Sequence, residues 1–106
     1  MYYVIIGATT ISEEIISWLM KSGGEVTLID NNKQKLQLIQ NSFGDVCFFG
    51  DPLDIDDLTD AGLGRADMVI TTLEHDYENL IVSQIAKSHY SVDRVVSLLN
   101  SSANKD

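Results

Sequence analysis

The chain of 106 residues has one cysteine, one proline and few positive charges, and these scarcities exclude several classes of protein. A single cysteine, Cys47, allows neither a disulfide framework nor a thiolate metal cluster. Sixteen acidic residues against seven basic ones give a formal charge of -9, which disfavours nucleic-acid binding because that binding needs clustered lysine and arginine. No stretch approaches the roughly 20 apolar residues of a membrane span, and the first residues lack the basic and apolar regions of a signal peptide. We therefore expect a soluble, cytoplasmic protein that neither binds nucleic acid nor inserts into a membrane.

Short apolar runs alternate with segments of helical spacing along the chain. The runs cover residues 2–6, 26–29, 46–49, 68–71 and 95–99. Such alternation indicates a parallel sheet that is covered by helices on both faces. Because crossovers between parallel strands are right-handed, we predict a Rossmann-like, three-layer, doubly wound α/β fold with strand order 3-2-1-4-5 and the first two helices on one face. One domain over residues 1–100 and a frayed tail over 101–106 are expected.

The first predicted helix carries apolar residues at helical spacing. Ile11, Ile15, Trp18 and Leu19 recur at intervals of three and four, which is typical of a helix face that packs on a sheet. We expect these four side chains to point inward.

The turn after the first strand has the layout of a dinucleotide-binding turn but lacks two of its glycines. In the usual G-x-G-x-x-G pattern the second glycine lets a pyrophosphate approach the backbone, and the third lets the helix pack closely on the strand. The second and third positions hold threonine and serine here. Unpaired backbone N–H groups at the start of a helix still favour an anion. The candidate phosphate-binding residues are Gly7, Ala8, Thr9, Thr10, Ile11 and Ser12.

Three further segments should meet this turn at the carboxyl ends of the strands. Asp30 ends the second strand, where an acid is placed either to accept hydrogen bonds from ribose hydroxyls or to cap the next helix. Asp51 is placed to pair with an adenine edge or with a local amide. In a doubly wound sheet this edge is where ligands bind. The candidates on these segments are Asp30, Asn31, Gly50, Asp51, Thr72, Leu73 and Glu74.

Metal binding and catalysis are not predicted. The aspartates between residues 51 and 60 do not follow the spacing of an EF-hand loop, and acids in the first turn of a helix are favoured by the helix dipole. The sequence contains no Gly-x-Ser-x-Gly elbow, no His-Glu-x-x-His motif and no P-loop lysine. We expect no metal site and no enzyme activity.

The sequence resembles the TrkA N-terminal (RCK or KTN) domain, over roughly residues 2–100. The most specific part is a pair of motifs, Gly50-Asp51-Pro52-Leu53-Asp54 followed by Ala61-Gly62-Leu63 and Ala66-Asp67. This resemblance implies a Rossmann-type regulatory domain of potassium channels and transporters that binds NAD(H), ATP, ADP or AMP and assembles into homodimers or larger rings. It assigns the phosphate turn to residues 7–12, the ribose to Asp30 and Asn31, the adenine side to Gly50 and Asp51, and the opposing rim to Thr72, Leu73 and Glu74.

Two cations that are frequent in the family are absent, since Thr10 replaces an arginine and Leu98 replaces a basic residue. A reduced affinity for di- and triphosphates follows, and with it the hypothesis of an AMP-preferring or vestigial site. The leading prediction is a regulatory nucleotide-binding domain that controls potassium transport through a membrane channel or transporter subunit. Through that partner the domain would lie at the inner face of the membrane. The alternative is a degenerate Rossmann interaction or dimerisation domain that has lost nucleotide binding.

Overall fold

A computed structural model describes residues 1–98 as alternating strands and helices. The predicted end of the fifth strand at Leu99, the domain end at residue 100 and the tail over 101–106 lie outside the described residues. In chain order the elements are β1 (Tyr2–Ile6), α1 (Thr10–Lys21), β2 (Glu25–Asp30), α2 (Lys33–Phe43), β3 (Cys47–Phe49), α3 (Ile55–Ala61), a 3-10 turn (Leu63–Arg65), β4 (Met68–Thr71), α4 (Asp76–His89) and β5 (Arg94–Ser97).

The strands form one parallel sheet in the order β3-β2-β1-β4-β5, which confirms the predicted fold class and strand order. Strand β1 lies at the centre, where Ile6 pairs with Ile29 on one side and with Thr71 on the other. The three strands therefore end at nearly the same level. This register brings the segments that follow β1, β2 and β4 together at one edge of the sheet.

Alternate residues of the strands pack against helices on opposite faces of the sheet. Ile5 of β1 packs on the face that α1 and α2 cover, whereas Val4 and Ile6 pack on the face of α3 and α4. Both faces are buried, and this explains why the strands are continuous apolar runs rather than alternating ones. The predicted placement of the helices is thus observed.

The predicted inward face of α1 is wrong in part. Ile11 is 47% exposed and Trp18 is 70% exposed, while the buried residues of the helix are Ser12, Ile16 and Leu19. These three residues recur at intervals of four and three, so they form one side of the helix, and Ile16 and Leu19 pack with Ile5 and Leu28 of the sheet. Ile11 and Trp18 each lie one residue before a buried position, about 100° around the helix, and therefore point outward.

The other helix boundaries follow local capping chemistry. The Asn32 side chain accepts the Lys35 N–H at 3.1 Å and caps α2, and the Asp54 carboxylate accepts the N–H groups of Asp56 and Asp57 at the start of α3. Gly62 ends α3 in a left-handed conformation with φ +101°. Within residues 1–98, no helix combines the length and apolar character that crossing a membrane requires.

Cys47 is a packed thiol in β3. It is partly buried, and its Sγ–H donates to the carbonyl oxygen of Leu36 at 3.5 Å. Burial, and secondarily the charge of Asp45, raises the pKa of the thiol. The thiol is therefore protonated at neutral pH, as expected of a cysteine that serves as a small apolar side chain.

Candidate functional site

Two turns of the chain cross in close contact at the carboxyl edge of the sheet. Gly7 has φ +112°, and a Cβ at this residue would lie 2.7 Å from the backbone nitrogen of Leu73 and 2.8 Å from the carbonyl oxygen of Thr72. The Thr72 hydroxyl donates to the carbonyl oxygen of Gly7 at 2.7 Å. Thr72 is only 2% exposed, so this bond ties the β1–α1 turn to the end of β4 inside the protein. The first glycine of the motif is thus required by the chain's own packing.

A capping box at the start of α1 occupies the two positions where glycine is missing. The Thr9 N–H donates to Ser12 Oγ at 2.7 Å, and the Ser12 N–H donates to Thr9 Oγ1 at 3.3 Å. Ser12 Oγ in turn donates to the carbonyl oxygen of Thr9 at 2.7 Å. Ser12 is fully buried and does not reach the edge of the sheet, so it serves α1 rather than a ligand.

Two backbone donors remain open at the start of α1. Among the described residues, the N–H groups of Thr10 and Ile11 have no hydrogen-bond acceptor, whereas the Glu13 N–H already donates to the carbonyl oxygen of Thr9. Both open groups lie at the positive end of the helix dipole. These donors are the part of the turn that is available to an anion.

Asp30 joins two turns. Its Oδ2 accepts the Ala8 N–H at 2.6 Å, and its Oδ1 accepts the Asn32 N–H at 2.8 Å. The residue is 8% exposed. Of the two roles considered for it, the cap of α2 belongs to Asn32 instead. Each carboxylate oxygen has a second lone pair, so hydrogen bonds from ribose hydroxyls remain compatible with this geometry.

The adenine-side candidates separate in the structure. Asp51 lies at the edge of the sheet, where its Oδ1 accepts the Leu53 N–H at 2.9 Å and its own N–H donates to Asp57 at 2.8 Å. Gly50 is buried, and its N–H donates to the carbonyl oxygen of Asp30 at 3.1 Å. A Cβ there would lie 2.9 Å from the Phe48 ring. Gly50 therefore has a packing role, and Asp51 is the residue that a ligand can meet.

Asn79 is the first buried residue of α4, and its side chain holds the segment after β4 in place. Its Oδ1 accepts the Leu73 N–H at 2.8 Å, and its Nδ2 donates to the Leu73 carbonyl oxygen at 3.0 Å. The side chain is fully buried. The Asn79 amide thus pairs with both backbone groups of Leu73, as a residue on a neighbouring strand would.

Sequence analysis did not select Lys35, which lies opposite Glu74 in the structure. Lys35 Nζ and Glu74 Oε1 are 3.6 Å apart. The signal for Lys35 was present in its position: it lies in the first turn of α2, and helical side chains point back toward the amino terminus, which here means toward the edge of the sheet.

These segments enclose a cleft with two lobes. The larger lobe has a volume of about 420 Å³ and lies between the start of α1, α2 and the end of β4. The smaller lobe, about 330 Å³, lies between the ends of β1 and β2 and the segment after β3. Both volumes fall in the range of small-molecule sites. The two lobes share Ala8, Thr9, Lys35, Leu73 and Glu74.

Eleven of the thirteen predicted site residues line this cleft, and Ser12 and Gly50 do not. The larger lobe adds residues that were not predicted: Glu13, Lys35, Leu38, Ile39 and Leu98. The smaller lobe adds Asn32, Pro52, Leu53 and Glu78.

The cleft is strongly acidic. Its lining within residues 1–98 includes one cation, Lys35. The carboxylates of the lining are Glu13, Asp30, Asp51, Glu74 and Glu78. In the described part of the chain, no group of three or more histidine, cysteine or acidic side chains is close enough to hold a metal ion. The site therefore combines two open backbone donors and one ammonium group with a surplus of negative charge.

Comparison with known families identifies the chain. The profile of the TrkA-N domain family matches residues 3–106. The chain belongs to the TrkA-N domain family. This result confirms the resemblance that the sequence motifs carry.

Curated relatives of this TrkA-N domain are potassium-efflux proteins. The glutathione-regulated potassium-efflux system protein KefC of Enterobacter sp. (strain 638) is 27% identical over 79 residues, which are 74% of this chain and 13% of KefC. KefC of Salmonella paratyphi B is 29% identical over 72 residues, 68% of this chain and 12% of that protein. The chain thus spans about an eighth of the length of the curated relatives it matches.

Solved structures share the fold. The TrkA-N domain of the inner membrane protein ybaL from Escherichia coli superposes with a TM-score of 0.83 at 14% identity, covering 93% of this chain and 73% of that one. The Kef CTD of Shewanella denitrificans in its AMP bound form gives a TM-score of 0.77 at 18% identity, covering 92% of this chain and 58% of that one.

Proposed function

We propose that this TrkA-N domain binds an adenosine-bearing phosphate in its two-lobed cleft and thereby regulates a membrane potassium transporter or channel. The proposal rests on one observation. The open N–H groups of Thr10 and Ile11 and the ammonium group of Lys35 border the same cleft as the ribose acid Asp30. Donors for a phosphate and an acceptor for ribose hydroxyls therefore lie on either side of the residues that the two lobes share.

The charge of the cleft selects among nucleotides. One cation cannot offset five carboxylates, so each further phosphate on a ligand adds repulsion. We therefore propose that AMP binds more tightly than ADP or ATP. NAD(H) is the second candidate, because its two bridged phosphates carry less charge than those of ATP. A protein with this fold, the Kef CTD of Shewanella denitrificans, has an AMP bound form, which supports AMP as a candidate ligand.

The proposals for a regulatory role and for a partner are based on the relatives. KefC proteins are named as glutathione-regulated potassium-efflux systems, and the match covers only a small part of each. We propose that the present domain acts on a membrane potassium transporter or channel subunit from the cytoplasmic side, as a homodimer or a larger ring. A regulatory rather than an enzymatic role is supported by the family of the chain and by its relatives, which are potassium-efflux system proteins.

Ligand-dependent melting tests this proposal. Millimolar AMP should raise the melting temperature, because a ligand that binds only the native state stabilises it in proportion to RT ln(1 + [L]/Kd). ADP, ATP and NADH should give smaller rises at equal concentration, and inorganic phosphate serves as the control for nonspecific anion effects.

A matched pair of variants locates the phosphate. Thr10→Pro removes the open N–H at the first position of α1, where proline is well tolerated, and Thr10→Ala removes only the hydroxyl. We expect the AMP effect to be lost in Thr10→Pro and kept in Thr10→Ala. A full AMP response in Thr10→Pro would remove this backbone donor from the site.

One observation favours a second function. The capping box of Thr9 and Ser12 and the two bonds of Asp30 satisfy most polar groups of the turn without any ligand. A domain of this kind also suits a pure interaction or dimerisation role. If no nucleotide changes the melting temperature while self-association is measurable by analytical ultracentrifugation, this second function replaces the first.

A further inference from the structure

An ion pair between Lys35 and Glu74 crosses the cleft. Lys35 lies in the first turn of α2 and Glu74 lies in the segment between β4 and α4, and both line both lobes. Their charged groups are 3.6 Å apart. The pair therefore stands at the wall that the larger and smaller lobes share.

This ion pair is exposed enough to be displaced. The Lys35 side chain is 42% exposed and the Glu74 side chain is 68% exposed. Ion pairs in such surroundings contribute little to stability, because water screens both charges. A phosphate group, which carries more charge than a carboxylate, can therefore replace Glu74 as the partner of Lys35 without unfolding any element.

We infer that Glu74 is a built-in competitor for the phosphate site: its carboxylate holds the Lys35 ammonium when no nucleotide is bound and is displaced when a phosphate binds. This inference rests on the proposed function and adds to it a residue that limits affinity. Lys35 is the only cation of the described lining, so ligand phosphate and Glu74 compete for one group.

The neighbouring contacts confine the displacement to a short segment. Both backbone groups of Leu73 are held by Asn79, so the residue before Glu74 is fixed. Helix α4 begins at Asp76, and the carbonyl oxygen of His75 accepts the N–H groups of Glu78 and Asn79. Release of Glu74 therefore moves residue 74 between two held neighbours, while β4 and α4 stay in place.

Calorimetric titration of four forms of the 106-residue chain tests the competition. The forms are wild type, Glu74→Gln, Lys35→Gln and the double variant. We expect Glu74→Gln to bind AMP about fivefold more tightly, since removing one charge near 4 Å in water changes affinity by about this factor. Lys35→Gln should bind AMP about fivefold more weakly. ATP should gain more than AMP from Glu74→Gln, whereas adenosine, followed by chemical shifts in NMR spectra, should gain nothing.

The double variant separates competition from simple repulsion. If Glu74 competes for Lys35, its removal should help AMP much less once Lys35 is gone. An equal gain in both backgrounds would mean that Glu74 only repels the ligand, which overturns the inference. Lys33→Gln and Glu14→Gln make the same charge changes outside the cleft and should leave AMP affinity unchanged.

The outcomes distinguish this inference from the proposed function. Equal AMP affinity in wild type and Glu74→Gln overturns the inference alone. AMP binding in Glu74→Gln but not in wild type supports the competition and overturns regulation of the unmodified chain by free AMP. No AMP binding in any form overturns both.

Discussion

The two lobes of the cleft share a wall but differ in chemistry. The larger lobe has an apolar lining from Leu38, Ile39 and Leu98, beside the open N–H groups of α1. The smaller lobe is lined by Asp30, Asp51 and Glu78. Under the proposed function, the ribose and adenine bind in the acidic lobe, and the phosphate binds in the larger lobe beside Lys35 and the open donors.

The residues that both lobes share should be the most sensitive to substitution. Gly7→Ala should displace one of them, Leu73, and so distort both lobes. The new Cβ would lie 2.7 Å from the backbone of Leu73, and the residue has φ +112°. We expect a loss of about 4 kcal/mol in the free energy of unfolding, measured with urea. Gly44→Ala has a similar φ of +83° but nothing within 4 Å, so it should lose only about 1 kcal/mol. Equal losses would show that strain at positive φ, and not contact with the second turn, governs Gly7.

Asn79→Leu should loosen the same wall from the other side. A leucine of similar size leaves the N–H and carbonyl of Leu73 without partners in a buried place, which should cost about 3 kcal/mol of unfolding free energy. Asn41→Leu is the control, because Asn41 is exposed and should lose less than about 0.5 kcal/mol. If Asn79→Leu also proves this mild, the clamp on Leu73 does not hold the wall.

Asp30→Asn tests the acidic lobe by itself. The amide cannot accept both N–H groups that the carboxylate accepts, so we expect a loss of about 2 kcal/mol in chemical denaturation and weaker binding of adenosine. Asp51→Asn changes the same charge at an exposed place and should lose less than about 1 kcal/mol. Adenosine affinity that survives Asp30→Asn would exclude Asp30 as the ribose acceptor.

Substitution of two exposed leucines tests which lobe holds the adenosine, and it should give the smallest changes in affinity. Leu53 lines the smaller lobe and is 39% exposed, and Leu38 lines the larger lobe and is 66% exposed. Leu53→Ala should weaken AMP binding about threefold by removing apolar contact with the adenosine. Leu38→Ala should leave AMP affinity unchanged in the same titration. The reverse result would move the adenosine to the larger lobe.

The fold was predictable from local patterns in the sequence, because the residues of each strand and helix indicate that element by themselves. Buried runs such as Tyr2–Ile6 and caps such as Asp54 act over a few positions, and handedness then fixes the strand order. The rotation of α1 was mispredicted because two overlapping sets of residues have helical spacing, and only the packing of Ile16 and Leu19 on the sheet shows which set is buried.

The site was predictable only as a set of neighbours. Register at the ends of β1, β2 and β4 brings Gly7, Asp30 and Thr72 together, as the pattern indicated. The bonds that occupy those groups were not predictable, since the partner of Ala8 is Asp30, 22 residues away, and that of Leu73 is the side chain of Asn79. Lys35 was missed because its role arises from its distance to Glu74 across the cleft.

Titration of AMP into the ¹⁵N-labelled chain, followed through the backbone amide resonances, tests the central claim most directly. Hydrogen bonding to a phosphate should shift the N–H signals of Thr10 and Ile11 saturably, while the N–H of Ser12, which already donates to Thr9, should move little. Saturable shifts at Thr10 and Ile11 are the result that we predict. Unchanged signals at these two residues under millimolar AMP would contradict a phosphate site at the start of α1.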